Sequence, residues 1–205
     1  DYQHNEGNES LFKKDTFEGR IEMPHRSIGN VDGVFGFQVV SSMFSAEKTE
    51  DNSYVVPVTK SQNFSAFVQE GFNIGVTDAQ IGLRVEQATV DSHNTKVSES
   101  TFTPISISAS DMWKMDDQNT FNIGITRSER APQVQELFFD GEHETTRTYE
   151  RGNPNLGMET SYNADFGYRF NSSWVSAELN LFHNWIEDYI SLQRTGATVG
   201  GSPET

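Results

Sequence analysis

The run DGEHE places Asp140, Glu142, His143 and Glu144 within one turn of chain. Carboxylate oxygen and imidazole nitrogen are fitting ligands for Zn²⁺ or a similar divalent ion where thiolate is absent, and this sequence has no cysteine. A transport site differs from a structural one by leaving a coordination position to water or to another element, so that the metal can depart. Glu50 and Asp51, in the run EKTEDNSY, are two further carboxylates in a polar connection. These residues set the sharpest expectation, a metal site shared between two loops. His143 would be its nitrogen ligand, and Asp140, Glu142, Glu50 and Asp51 would supply oxygen. The plainer alternative is that these loops are polar because they are solvated. His4, His25 and His93 are scattered without H-x-H or i, i+4 spacing, and His183, beside Asn184 and Trp185, reads as an interfacial residue.

The loop that carries DGEHE interrupts a regular pattern. On either side of Arg127–Leu156, apolar and polar residues alternate with a period of two, the signature of β-strands. Phe35, Phe37 and Val39 share a face in one run, and Phe64, Ala66 and Val68 in the next. Ile81, Leu83 and Val85 do so again, as do Ile105 with Ile107 and Ile123 with Ile125. Tyr162, Ala164, Phe166 and Tyr168, then Ala177, Leu179 and Leu181, complete the series. With a weaker run at FEGRIEMPHR the sequence yields eight strands, and its one helical hint is a short turn at VQELF.

The connections alternate in length. IGNVDG, GVTDA, MDDQ and FNSS are short, whereas the connections between them at the other end are moderate to long. All hairpins of one kind therefore lie at one end of the sheet, which is the layout of a transmembrane β-barrel with tight periplasmic turns and long outer loops. Strands of ten or more residues match a tilted crossing of the bilayer. Aromatics near strand ends (Phe44, Phe64, Trp113, Tyr168, Phe170, Trp174, Trp185) suit girdles at the two interfaces. On the opposite face, Arg84, Glu86, Asp165, Arg169 and Glu178 should line the lumen and pair with one another, whereas Arg127, Glu129 and Arg130 sit at a strand exit where charge reaches water.

Composition narrows the functions. Of the 205 residues, 15 are Lys or Arg and 30 are Asp or Glu, a net charge of -15, which repels nucleic acid. No apolar run approaches the roughly 20 residues of a membrane helix. The opening DYQHNEG has neither an initiating Met nor a signal peptide, which suggests a mature or excised piece. No glycine-rich phosphate loop or nucleophile–base arrangement emerges, so no enzyme is expected and no resident cofactor.

Two stretches, RSERAPQVQELFFDGEHETTRTYERGNPNLGMETSYNADFGYRF and AELNLFHNWIEDYI, resemble the barrel of TonB-dependent outer-membrane receptors. GRIEMPHRSIGNVDGVFGFQ and FVQEGFNIG are similar to the same family, so the likeness covers nearly the whole chain. Within the family it looks closest to the zinc-uptake and related metal-receptor branch. The resemblance implies an antiparallel up-and-down barrel of about 22 strands around a plug domain. Residues 1–205 would be a section of that barrel of about eight strands, with the plug and the final strands outside it. It also implies bacterial outer-membrane lipid and the TonB complex, acting through the plug, as partners. The cargo would be zinc or another divalent metal, as the ion or as a chelate. Haem or a siderophore is the next candidate cargo, with Tyr149 near His143 a conceivable axial pair. A soluble β-sheet binding module is the alternative from another class.

Overall fold

The computed structural model describes residues 10–49, 52–92, 99–143 and 146–205. The alternating runs become β1 (Ser10–Pro24), β2 (Val31–Lys48), β3 (Tyr54–Ile74), β4 (Thr77–Ser92), the short β5 (Glu99–Phe102), β6 (Ile105–Lys114) and β7 (Asn119–Arg130). The brief helix α1 (Val134–Phe138) falls on the VQELF turn, and β8 (Asp140–His143) and β9 (Thr148–Arg151) follow it. The long strands β10 (Glu159–Asn171) and β11 (Ser176–Glu187) come next, and then the two-residue strands β12 (Thr198–Val199) and β13 (Ser202–Pro203).

The eight long strands form one antiparallel sheet in the order β1-β2-β3-β4-β6-β7-β10-β11, with β5 paired to β4. Each joins the strand before it among the long strands, so the path is up-and-down. The tight connections are fixed by their own chemistry. Gly75 takes a φ of 65° between β3 and β4, a conformation that glycine adopts without a Cβ penalty. The Asp116 carboxylate accepts the backbone N–H groups of Gln118 and Asn119, both at 2.8 Å, and so closes the β6–β7 turn. Those bonds hold its carboxyl below the usual carboxylate range, the Gln118 N–H contributing most.

Register turns the alternation of each strand into two continuous surfaces. Ile81 pairs with Ala109, Ala109 with Ile125 and Ile125 with Ala164, one apolar row across four strands. The next row in the periplasmic direction runs Phe72, Ala79, Asp111, Ile123, Phe166 and Leu181. Ile123 is 56% exposed and Ile125 58%, which suits a face turned to lipid rather than to a core. The other face is polar and luminal. There Arg84 donates to Gln38 at 3.0 Å and pairs with Glu86 at 3.0 Å, and Arg169 meets Glu178 at 3.5 Å. Asp165 shares this face, opposite Gly124. At the periplasmic end, Trp113 and Phe121 lie 5.9 Å apart and Phe121 stacks on Tyr168 at 4.9 Å, the start of an interfacial girdle.

Phe44 departs from the girdle expectation. It is buried on the luminal side with Ala46, Val55, Val56 and Val90, against Val134, Leu137, Phe138 and Phe139 from the segment after β7. A strand-end aromatic goes wherever apolar partners await it, and here α1 folds over the luminal face. This small core pins the outer loop to β2, β3 and β4.

His25, in the β1–β2 connection, bonds the Arg26 carbonyl and the Glu70 carboxylate, each at 2.9 Å. Glu70 reaches it across Gly33, where a Cβ would come within 2.5 Å of that carboxylate. The Arg26 carbonyl first, and Glu70 second, raise the His25 pKa above its ordinary 6.5. The link therefore contributes fully below the unfolded-state value and fades as pH rises through the higher folded one. Amide exchange in residues 25–33 should accelerate as pH climbs above neutral, beyond the intrinsic rate, and His25→Gln should remove that extra dependence. The two faces yield a second expectation. Ile125→Arg should destabilise the barrel in vesicles by about 2–4 kcal/mol, and Ser110→Arg, on the luminal face, by much less, as read from urea unfolding.

Candidate functional site

The loop after β7 is organised around one guanidinium. Arg130, the last residue of β7, donates to Glu136 through Nη1 at 2.9 Å and Nη2 at 3.1 Å. It also donates to Glu159, the first residue of β10, through Nε at 2.9 Å and Nη2 at 3.0 Å. Glu136 in turn accepts the Gln133 N–H at 2.7 Å, ahead of α1. Glu159 accepts the Ile190 N–H at 3.0 Å, beyond β11. A planar fork between two carboxylates thus ties together two strand ends, the helix and the segment after β11. Arg130 still reaches water at this strand exit, its side chain 35% exposed, but it is also held by partners 6 and 29 residues away, where no local pattern announces them.

From α1 the chain turns into a hairpin. β8 pairs with β9 so that Asp140 faces Arg151, Gly141 faces Glu150, Glu142 faces Tyr149 and His143 faces Thr148. Gly141 sits against Val55, where a Cβ would collide with that side chain. Alternation along β8 puts Asp140 and Glu142 on one side and His143 on the other. Asp140 accepts the Tyr149 hydroxyl at 2.8 Å and lies 3.6 Å from Arg151. Burial first, and the Asp140 bond second, raise the Tyr149 pKa. Glu142 accepts the Ser202 hydroxyl. His143 Nδ1 lies 3.2 Å from the Thr146 hydroxyl and 4.0 Å from the Glu150 carboxylate.

The structure therefore brings three of the expected ligands into one hairpin but divides them between its faces. Glu150, which sequence reasoning did not single out, shares a face with His143 as its diagonal neighbour, since the register sets Glu150 opposite Gly141 and His143 opposite Thr148. Glu50, Asp51 and Glu144 lie outside the described residues. Among the described residues no group of three or more His, Cys, Asp or Glu is placed to hold a metal ion.

Beside the hairpin the chain closes back on itself. Arg151 pairs with the buried Glu204 at 2.8 Å, and Glu204 accepts the Thr195 hydroxyl at 2.9 Å. A cleft of about 1170 Å³ opens there, lined by Glu150, Arg151, Asn153, Tyr189 and Gln193 among others. Its lining mixes one cation, carboxylates, amides and a phenol, a surface that can hydrogen-bond a polar organic ligand.

The family model described as "TonB dependent receptor-like, beta-barrel" matches residues 1–203. Among solved structures, the "Copper transporter OprC" aligns with a TM-score of 0.75 at 18% identity, covering 95% of this chain and 32% of that one. The FrpB iron transporter from Neisseria meningitidis gives 0.67 at 14% identity, over 94% of this chain and 30% of that one. The ferric citrate transporter FecA in its unliganded form gives 0.63 at 14% identity, over 98% of this chain and 32% of that one. The chain thus spans about a third of the length of each of these structures.

Arg130→Met should leave the sheet intact and free the loop. Amide protection at Leu137, Phe138 and Phe139 should fall by the equivalent of about 1–3 kcal/mol, as expected for charged hydrogen bonds lost with carboxylates left unpaired. Protection at the centres of β7 and β10 should not change, and hydrogen exchange resolved by residue checks both.

Proposed function

Since this chain belongs to the TonB-dependent receptor-like β-barrel family, we propose that it forms part of a receptor that captures a scarce metal outside the cell and imports it actively. The family places it in the bacterial outer membrane and among receptors and transporters rather than enzymes. In this reading the barrel works with a plug domain, through which the TonB complex supplies the energy. The cargoes named for the structural neighbours, copper, iron and ferric citrate, are metals or metal chelates. That is the class the outer loop chemistry suits.

For a bare divalent cation such as zinc, the observation that carries the reading is the pairing of His143 with Glu150 on one face of the hairpin at 4.0 Å. Ligand atoms of one tetrahedral zinc stand roughly 3.3 Å apart, given bonds of about 2.0–2.2 Å, so a small closure would let both bind. Glu50 and Asp51, in the connection between β2 and β3, are proposed to complete the set. Asp140 and Glu142, on the other face, would exchange Tyr149 and Ser202 for the metal only if the hairpin rearranged. A second reading has its own support: the cleft beside the hairpin is wide enough for a metal held within an organic chelate, with Arg151 as its cation.

Calorimetric titration of the intact receptor in detergent with zinc, beside a variant carrying Asp140→Ala and His143→Ala, separates these readings. Stoichiometric binding abolished in the variant assigns the hairpin to the metal. Equal binding by both proteins removes the hairpin from the site, and no binding by either favours a chelated cargo.

A further inference from the structure

Two carboxylates face outward toward the periplasmic end of the apolar surface, and they are treated differently. Glu70, in the same row as Ile81 and Ala109, has its own counter-ion in His25 at 2.9 Å. Asp111 has none among the described residues. It sits in the row of Ala79 and Ile123; its Oδ1 is shut away from solvent without a hydrogen-bond partner, which leaves Oδ2 as the oxygen an outside donor can reach. The nearby cation Lys114 points to the lumen and is already paired with Asp78 at 3.2 Å. β6 has its barrel neighbours on both flanks, β4 and β7, so the outer surface around Asp111 is complete within this chain.

A carboxylate on a lipid-facing wall is poorly solvated and needs a partner. We propose that Asp111 binds the ammonium group of a zwitterionic phospholipid in the periplasmic leaflet. Depth supports that occupant. Asp111 stands two residues from Trp113, whose ring joins Phe121 and Tyr168 in the interfacial girdle, the level at which headgroups lie. Charge supports it too, since an ammonium is a charge-assisted donor to a carboxylate oxygen. Shape completes the case. Ala79 is a small residue on one flank, and Ile123 on the other offers acyl chains an apolar surface. The proposal rests on barrel membership and not on which metal is imported, so the cargo reading can fail without it.

The test uses the intact receptor in detergent, offered equal amounts of phosphatidylethanolamine and phosphatidylglycerol, with retained lipid measured by native mass spectrometry. The native protein should keep the ethanolamine lipid in excess, and Asp111→Asn should return the ratio to that of the mixture. Glu70→Gln, whose carboxylate already has His25, should behave as native, and heat-modified gel mobility confirms that each variant is folded. A competition needing no variant offers phosphatidylcholine, whose headgroup cation has no N–H; the ethanolamine lipid should win. Equal retention of the lipids by the native protein, or an unchanged ratio in Asp111→Asn, overturns the proposal. So does a photo-crosslinker at position 111 that captures a second protein in intact membranes instead of lipid.

Discussion

A hydrocarbon layer offers no partner to a backbone N–H or C=O, and each group left unpaired there costs several kcal/mol. Among β-structures only a closed sheet meets that demand, and most other features of this chain follow from it. The six inner long strands have a hydrogen-bonded neighbour on each side, whereas β1 and β11 are paired on one side only. Side chains then alternate between lipid and lumen with a period of two, and a one-residue slip would exchange the two surfaces. Register is consequently fixed by the cost of a misplaced charge as much as by the turns. The long row from Phe72 to Leu181, apolar but for Asp111, is the visible result.

Outside the layer water relaxes that constraint, and the loops need other means to hold a shape. The chain uses two. A small luminal core of Phe44, Val56, Leu137 and their neighbours buries the helix against the strand extensions. The Arg130 fork then locks the ends of β7 and β10 to that helix and to the segment beyond β11. Together they place the hairpin of Asp140 and His143 beside a cleft at the end of the sheet that carries the longer connections. A rigid wall thus carries a loop whose position depends on one guanidinium and two carboxylates.

How much of this was legible in the sequence follows from how local each signal is. The eight strands and their two faces could be read because period two repeats within each run; the β2–β3 connection, expected to be long, is short, since β2 runs to Lys48 and β3 already begins at Tyr54. α1 was hinted at by VQELF, where Val134, Leu137 and Phe138 stand at the i, i+3, i+4 spacing of a helix. The DGEH–TYER hairpin was not, because four charged or polar residues pair by register and show no apolar alternation. Arg130 looked like any charge at a strand exit, since its partners come from other elements. Phe44 looked like a girdle residue, because sequence cannot say whether lipid or a folded-in loop will cover a strand-end ring. Closeness in sequence makes the candidate metal ligands look like one cluster and hides the alternation that sends Asp140 and His143 to opposite faces.

The central claim is that the apolar rows meet lipid and the polar rows meet the lumen. Spin labels placed singly at positions 120–126 of the intact receptor in vesicles test it most directly. Access of oxygen dissolved in the bilayer and of a water-soluble nickel chelate is measured at each position. The account requires a period of two, with oxygen favoured at Phe121, Ile123 and Ile125 and the chelate relatively favoured at Asn122, Gly124 and Thr126. An accessibility pattern without that period, or one with the two sets exchanged, would contradict it.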